Sequence, residues 1–244
     1  MKNWLDGEYW SGCSIRRMGY DLVCCLMKQA LRYLLRRSII IAILNTVPEN
    51  KMLKLSDRYQ LFIGLFLVLL MVATRGHHLA TITHLPDASL AIFFHAGIYI
   101  TRVWFFPLLL AEAALLDYVV ITLGGVSSFC VSAAYVFLIA SYGVLWFAGR
   151  KYASVHKEQW QTLVPLVLFM VFADGISEVI SSGSFYYLSG RFTDPGLAEF
   201  AGRLVKYGPG MLTSLAFYVG CAIVIHVIVS TLRSLSTKDH TPAI

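Results

Sequence analysis

The sequence predicts an all-α, polytopic membrane protein, a bundle of six transmembrane helices, and three observations carry that prediction. Of 244 residues, 57% are hydrophobic and only 14% are charged, with a mean hydropathy of +0.67. A soluble domain carries about 25% charged residues, so this chain lacks the material for a wetted surface, which excludes a soluble enzyme. Disorder is excluded as well, because it requires low hydrophobicity and high net charge. The apolar residues also gather into runs close to the roughly 20 residues that a bilayer requires. Finally, Lys and Arg segregate to alternate connections between those runs.

The first span is expected at 56–74, with Arg58 snorkelling to the interface. The second and third, 88–106 and 107–123, are parted by Arg102-Val103-Trp104-Phe105-Phe106-Pro107. There Arg102 and Trp104 suit an interface, and Pro107 suits the first turn of a new helix. The fourth is expected at 130–148, the fifth at 163–180 and the sixth at 211–232, the last free of Asp, Glu, Lys and Arg throughout. With both termini in the cytoplasm, 16 Lys and Arg fall inside and 4 outside; counting only from Met52, the inside total is 8. Both counts obey the positive-inside rule.

The chain divides into a basic arm at 1–51, a six-helix domain at 52–235 and a cytoplasmic tail at 236–244. The arm holds 8 of the 20 Lys and Arg against 4 acids, so the net charge of +6 reads as a topology signal and not as a nucleic-acid footprint. Its one strongly apolar stretch, 39–44, is too short to span. The arm reads as a signal-like segment, an interfacial basic helix or, the favoured reading, sequence upstream of a true start at Met52. Five cysteines without metal-ligand spacing indicate no disulfide framework. No phosphate-binding glycine loop or dinucleotide fingerprint occurs, so if transport needs ATP, a partner must bring it.

This orientation places the connections 75–87, 124–129 and 181–210 outside, and they hold most of the chemistry-bearing residues. If a helix starts near Ser128, Cys130 lies in its first turn, where the dipole and free amides stabilise a thiolate able to bind a soft metal centre. The alternative is a small buried hydrophobe, the usual state of a lone membrane cysteine. His77, His78, His84 and His95 are candidate metal ligands or interfacial histidines bonded to loop carbonyls. Asp87, in Pro86-Asp87-Ala88-Ser89, can cap the following helix. The loop at 181–210 carries Phe185, Tyr186, Tyr187 and Phe192, a wall for a large flat ligand or an aromatic belt. Glu112, Asp117, Asp174 and Glu178 lie within spans, where ionisable groups are costly and are functional candidates by default. Pairing with Arg75 or Arg191 is an equal reading.

The stretches Ala73-Thr74-Arg75-Gly76, His84-Leu85-Pro86-Asp87-Ala88-Ser89, Gly124-Gly125-Val126-Ser127-Ser128-Phe129-Cys130-Val131-Ser132, Ser182-Gly183-Ser184-Phe185-Tyr186 and Gly190-Arg191-Phe192 resemble the BtuM family. These are small proteobacterial inner-membrane proteins classed as solitary substrate-binding (S) components of energy-coupling factor transporters for cobalamin. The resemblance runs from about Leu61 to about Val229. It implies a six-helix S-component-like bundle with cobalamin held at the external face. It also implies that Cys130 is an axial ligand to cobalt and supports removal of cyanide from cyanocobalamin. Arg75, His84, Asp87, Ser127, Ser128, Phe129, Phe185, Tyr186 and Arg191 lie in the matching segments and are expected to form or support the pocket. S-components that dock on an ATP-hydrolysing module usually show small residues at four-residue spacing on the first helix. Gly64 and Ala73 are not at that spacing, so such docking is unsupported.

Two other readings compete. One is a transition-metal permease using the histidines and the intramembrane acids. The other is a membrane enzyme that decyanates corrinoids without transporting them. An outward loop of about thirty residues favours a ligand as large as a corrinoid over a bare ion.

Overall fold

The computed structural model describes residues 55–75, 85–123, 132–157 and 159–238. The expected arm at 1–51 lies outside them, as do His77, His78, His84, Ser127, Ser128, Phe129 and Cys130. Among the described residues there are six α-helices and no strand, which bears out the expected all-α bundle. They are α1 (Asp57–Arg75), α2 (Ser89–Tyr99), α3 (Phe105–Leu123), α4 (Leu138–Val155), α5 (Leu163–Leu188) and α6 (Leu197–Lys238). Short 3-10 turns, Ala133–Phe137 and Trp160–Thr162, lead into α4 and α5. Four segments, Asp57–Arg75, Phe105–Thr122, Trp160–Leu188 and Leu197–Val229, are long and apolar enough to cross a membrane.

The bundle is organised around α2, the shortest helix. Nine of its 11 residues are buried, the mark of a helix enclosed on all sides. Its closest neighbour is α4, and the two backbones meet at a pair of glycines. A Cβ on Gly97 would sit 2.1 Å from the Trp146 carbonyl oxygen, and one on Gly149 would sit 2.1 Å from that of Phe94. Small residues permit such an approach where packing, rather than water exclusion, drives association. Around this pair, α1 turns Gly64, Leu67, Met71 and Thr74 inward at alternating three- and four-residue steps. Its opposite face exposes Leu61, Phe62, Leu65, Phe66, Leu69 and Val72. An apolar face left open on an apolar helix is what hydrocarbon, not water, accommodates. A Cβ on Gly64 would sit 3.2 Å from the Phe105 ring, so the small residue of the first helix serves an internal close approach.

Three boundaries differ from expectation, each for a local reason. The second helix ends at Tyr99 and not near Phe106. Beyond it, the Gln60 side-chain oxygen of α1 accepts from the Thr101 amide (3.0 Å) and hydroxyl (2.8 Å), and the buried Arg150 of α4 donates to the carbonyls of Ile100 and Thr101. These side chains satisfy the groups that a helix end leaves open. The fourth helix, expected at 130–148, begins at Leu138. Ser132 is extended and caps the turn at Ala133–Phe137, its hydroxyl accepting from the Ala134 amide at 3.3 Å. Ser128 and Cys130, on which the expected helix start was placed, lie outside the described residues.

The largest correction concerns the expected thirty-residue loop at 181–210. Helix α5 continues to Leu188 and α6 begins at Leu197, so only 189–196 connects them. Ser181-Ser182-Gly183-Ser184 reads as a turn, yet the hydroxyls of Ser181 and Ser184 bond to carbonyls three residues back and Ser182 bonds to Glu178. Each serine is thus satisfied without leaving the helix. The connection turns at Gly190, the one positive φ (66°) among the described residues, a conformation glycine adopts without strain. Pro209 lies inside α6, flanked by Gly208 and Gly210.

Candidate functional site

One end of the bundle opens into a cavity of about 700 Å³. The C-terminal ends of α1, α3 and α5 meet there with the head of α2, the turn before α4 and the first half of α6. Arg75, Asp87, Phe185 and Tyr186, expected from sequence as pocket residues, all line it. So do Asp117 and Glu178, two of the four intramembrane acids. Among the described residues, Val120 and Ile121 before 124–131 and Ala134 and Tyr135 after it line the wall. The expected site residues between them, Ser127, Ser128, Phe129 and Cys130, lie outside the described residues, as does His84. Arg191 is exposed in the 189–196 connection and does not line the cavity.

The wall is organised by the last residue of α1. Arg75 donates through Nε and Nη2 to the two carboxylate oxygens of Asp117 on α3, at 2.7 and 2.8 Å. Paired parallel bonds of this kind fix orientation as well as charge. Its Nη1 donates to the Ser89 hydroxyl (2.7 Å) and the Tyr142 hydroxyl (3.0 Å). Tyr135 donates to the same Asp117 at 2.6 Å, and Ser89 donates to Asp87 at 2.7 Å. Asp87 also accepts from the Ser89 amide at 3.1 Å, the role expected of it at the head of α2. One guanidinium thus ties α1, α2, α3 and α4 together at the rim. Tyr142 is further held by stacking on Phe93, with ring centres 4.3 Å apart and planes within 8°.

Across the cavity the ends of α5 and α6 form an aromatic clasp. Tyr186 donates to Glu199 at 3.0 Å and accepts from the Gly196 amide at 3.1 Å. Arg203 donates to Glu199 at 2.9 and 3.1 Å. Its guanidinium carbon lies 4.5 Å from the Phe192 ring centre and 5.4 Å from that of Tyr186. Phe185 and Phe200 pack around the same rings. These contacts lie within 185–203, so the clasp is held largely by its own residues. Behind the wall, the hydroxyls of Ser141 and Ser177 join α4 to α5 at 2.5 Å, and the Tyr218 hydroxyl of α6 donates to the Pro86 carbonyl at 2.6 Å.

The site therefore combines aromatic faces with two guanidiniums and three carboxylates, a lining suited to a broad amphipathic ligand with several polar substituents. Arg203, Tyr135, Tyr142 and Tyr207 were not singled out in the sequence. Phe200, Arg203, Tyr207 and Met211 recur at three- and four-residue steps, so one helical face would have grouped them had 197–210 been read as helix. Tyr135 and Tyr142, seven apart in an apolar stretch, carry the same signal. The remaining acids stand apart. Glu112 and Asp174 do not line the cavity, and both oxygens of Glu112 and Oδ1 of Asp174 have no hydrogen-bond partner among the described residues.

Of the four candidate histidines, His77, His78 and His84 lie outside the described residues. His95 faces a second cavity at the opposite end of the bundle, and among the described residues no group of three His, Cys, Asp or Glu is placed to hold a metal ion. No protein-family model matches the chain, and no curated protein matches it.

Proposed function

We propose that the 700 Å³ cavity binds cobalamin and that the protein serves its uptake across a bacterial inner membrane, with the cavity end outward and both termini cytoplasmic. The observation that carries this reading is convergence. Four of the pocket residues implied by the resemblance, from three segments far apart in sequence, line one open cavity together with the stretches flanking Cys130. Aromatic and apolar faces would take the corrin plane. Arg75, Arg203, Asp87 and Glu178 would meet its polar side arms.

In this reading the Cys130 thiolate is the axial ligand. Loss of cyanide is then a ligand exchange: sulfur donates its electron pair to cobalt as the cobalt–cyanide bond breaks with its own pair. Cyanide leaves as an anion and cobalt keeps its oxidation state. A sulfur carried by the binding protein needs no second reactant to be brought in, a proximity advantage.

The test is the visible spectrum of protein purified in detergent with cyanocobalamin, beside Cys130→Ala. Wild type is expected to retain a corrinoid with a spectrum altered from the free vitamin, and the variant one without the alteration. Protein that stays colourless under every loading condition overturns the reading. Cellular uptake of cyanide-free cobalamin separates transport from a decyanating enzyme, since only a transporter sustains it in Cys130→Ala.

A further inference from the structure

The second cavity, about 450 Å³, lies at the far end of the bundle between α2, α4, α5 and α6. Its walls change character with depth. Near the connection from α4 to α5 they carry His156, Lys157 and Gln159, and deeper in they carry Leu166, Val219 and Ile223. The Tyr152 hydroxyl lies 2.8 Å from His156 Nδ1 and orients that ring, which stands 83° to the His226 ring at 6.3 Å. Among the described residues lining this cavity there is a lysine, three histidines and no carboxylate; Glu158, between Lys157 and Gln159, lies outside the described residues.

The rim opens towards the surfaces that the apolar helices leave exposed. Leu163 of α5 and Val227 of α6 belong to the wall and are 42% and 55% exposed. Beyond them run Val164, Val167 and Leu168 on one helix and Val224, Ile225 and Ile228 on the other, all exposed. Trp160, 78% exposed and also in the wall, suits the headgroup level, where tryptophan collects. Hydrogen-bond donors and positive charge thus sit at that level, with an apolar slot beneath. A soluble anion would leave the slot unfilled, and an uncharged lipid would leave Lys157 unmatched.

We infer that this cavity is a binding site for an anionic phospholipid from the leaflet at that end, with its phosphate against Lys157, His156 and His226 and an acyl chain along Leu166, Val219 and Ile223. Interhelical pockets carrying basic groups at headgroup depth recognise lipids in this way. One lysine at the surface favours an anionic headgroup by about five-fold.

Trp160 provides the reporter. Full-chain protein is reconstituted in phosphatidylcholine vesicles containing a small fraction of brominated phosphatidylglycerol. The fluorescence component lost in Trp160→Phe is then followed. Expected is quenching about five-fold above that from the same fraction of brominated phosphatidylcholine, falling to the phosphatidylcholine level in Lys157→Glu, an exposed position whose change leaves the fold intact by gel filtration. Equal quenching by the two lipids in wild type overturns the inference. So does displacement of the brominated lipid by millimolar inorganic phosphate, which would make this a soluble-anion site. Wild-type protein alone decides both of these arms, and neither depends on cobalamin binding.

Discussion

The two ends of the bundle each employ an arginine set against helix termini, to different effect. At the cavity end Arg75 meets a carboxylate, a serine and a tyrosine on three other helices, and its partners Asp117 and Tyr142 line the open cavity with it. At the far end Arg150 donates to carbonyls of the residues following α2 and lies over the Trp146 ring, 5.5 Å from its centre, and it lines neither cavity. The first arrangement exposes charged and hydroxyl groups to whatever enters. The second closes a helix end and offers nothing to a ligand. Function at this depth of an apolar fold follows from which partners an arginine has and from what space adjoins them.

The sharpest way to break the comparison is to remove the frame both arginines share. Gly97→Ala or Gly149→Ala forces a Cβ into a backbone carbonyl, which neither helix can yield without moving apart. A loss of at least about 3 kcal/mol is expected, read as disappearance of the monodisperse gel-filtration peak. Next in size is Arg75→Met, which strands the partly exposed Asp117 carboxylate and should cost about 2–3 kcal/mol. The double variant Arg75→Met/Asp117→Leu should regain at least half of that in thermal unfolding while failing to retain a corrinoid. A double variant as unstable as the single would show that the ion pair is not what holds the rim. Arg150→Met should cost about 1.5–3 kcal/mol, the worth of hydrogen bonds from a charged group, with corrinoid retention unchanged. Reduced retention there would erase the distinction between the two ends. The smallest effect on stability belongs to Arg203→Ala in the clasp. Its stacking is worth about 0.5–1 kcal/mol at an exposed site, so unfolding should barely shift while bound corrinoid is released roughly two- to five-fold faster.

Much of the fold was legible because hydrocarbon-length apolar runs leave few choices. All six helices lie where such runs stand, and Asp87 caps α2 as its place after Pro86 implies. The ends of helices were less legible, because the residues that terminate or extend them act from elsewhere. Nothing in Ile100-Thr101 says that Gln60, 41 positions away, will bind it, and the serines of 181–184 suit a turn as readily as a helix. The site divides in the same way. Arg75, Asp87, Phe185 and Tyr186 were expected in the pocket from the resemblance of their segments. Arg203 was missed because its face exists only once 197–210 is helical.

Proline at position 209 has no amide, so the carbonyl of Val205, four residues earlier, receives no helical bond from it. Proline is also a usual place for a helix to bend. The part of α6 beyond it, from Leu197 to Gly208, is about 18 Å long at 1.5 Å per residue. As a lever arm of that length, it converts an additional bend of about 20° into roughly 6 Å of travel at its tip. Phe200, Arg203 and Tyr207 ride on that arm while the glycine-locked pair of α2 and α4 stays put, so an angle at one residue moves the α6 side of the cavity mouth.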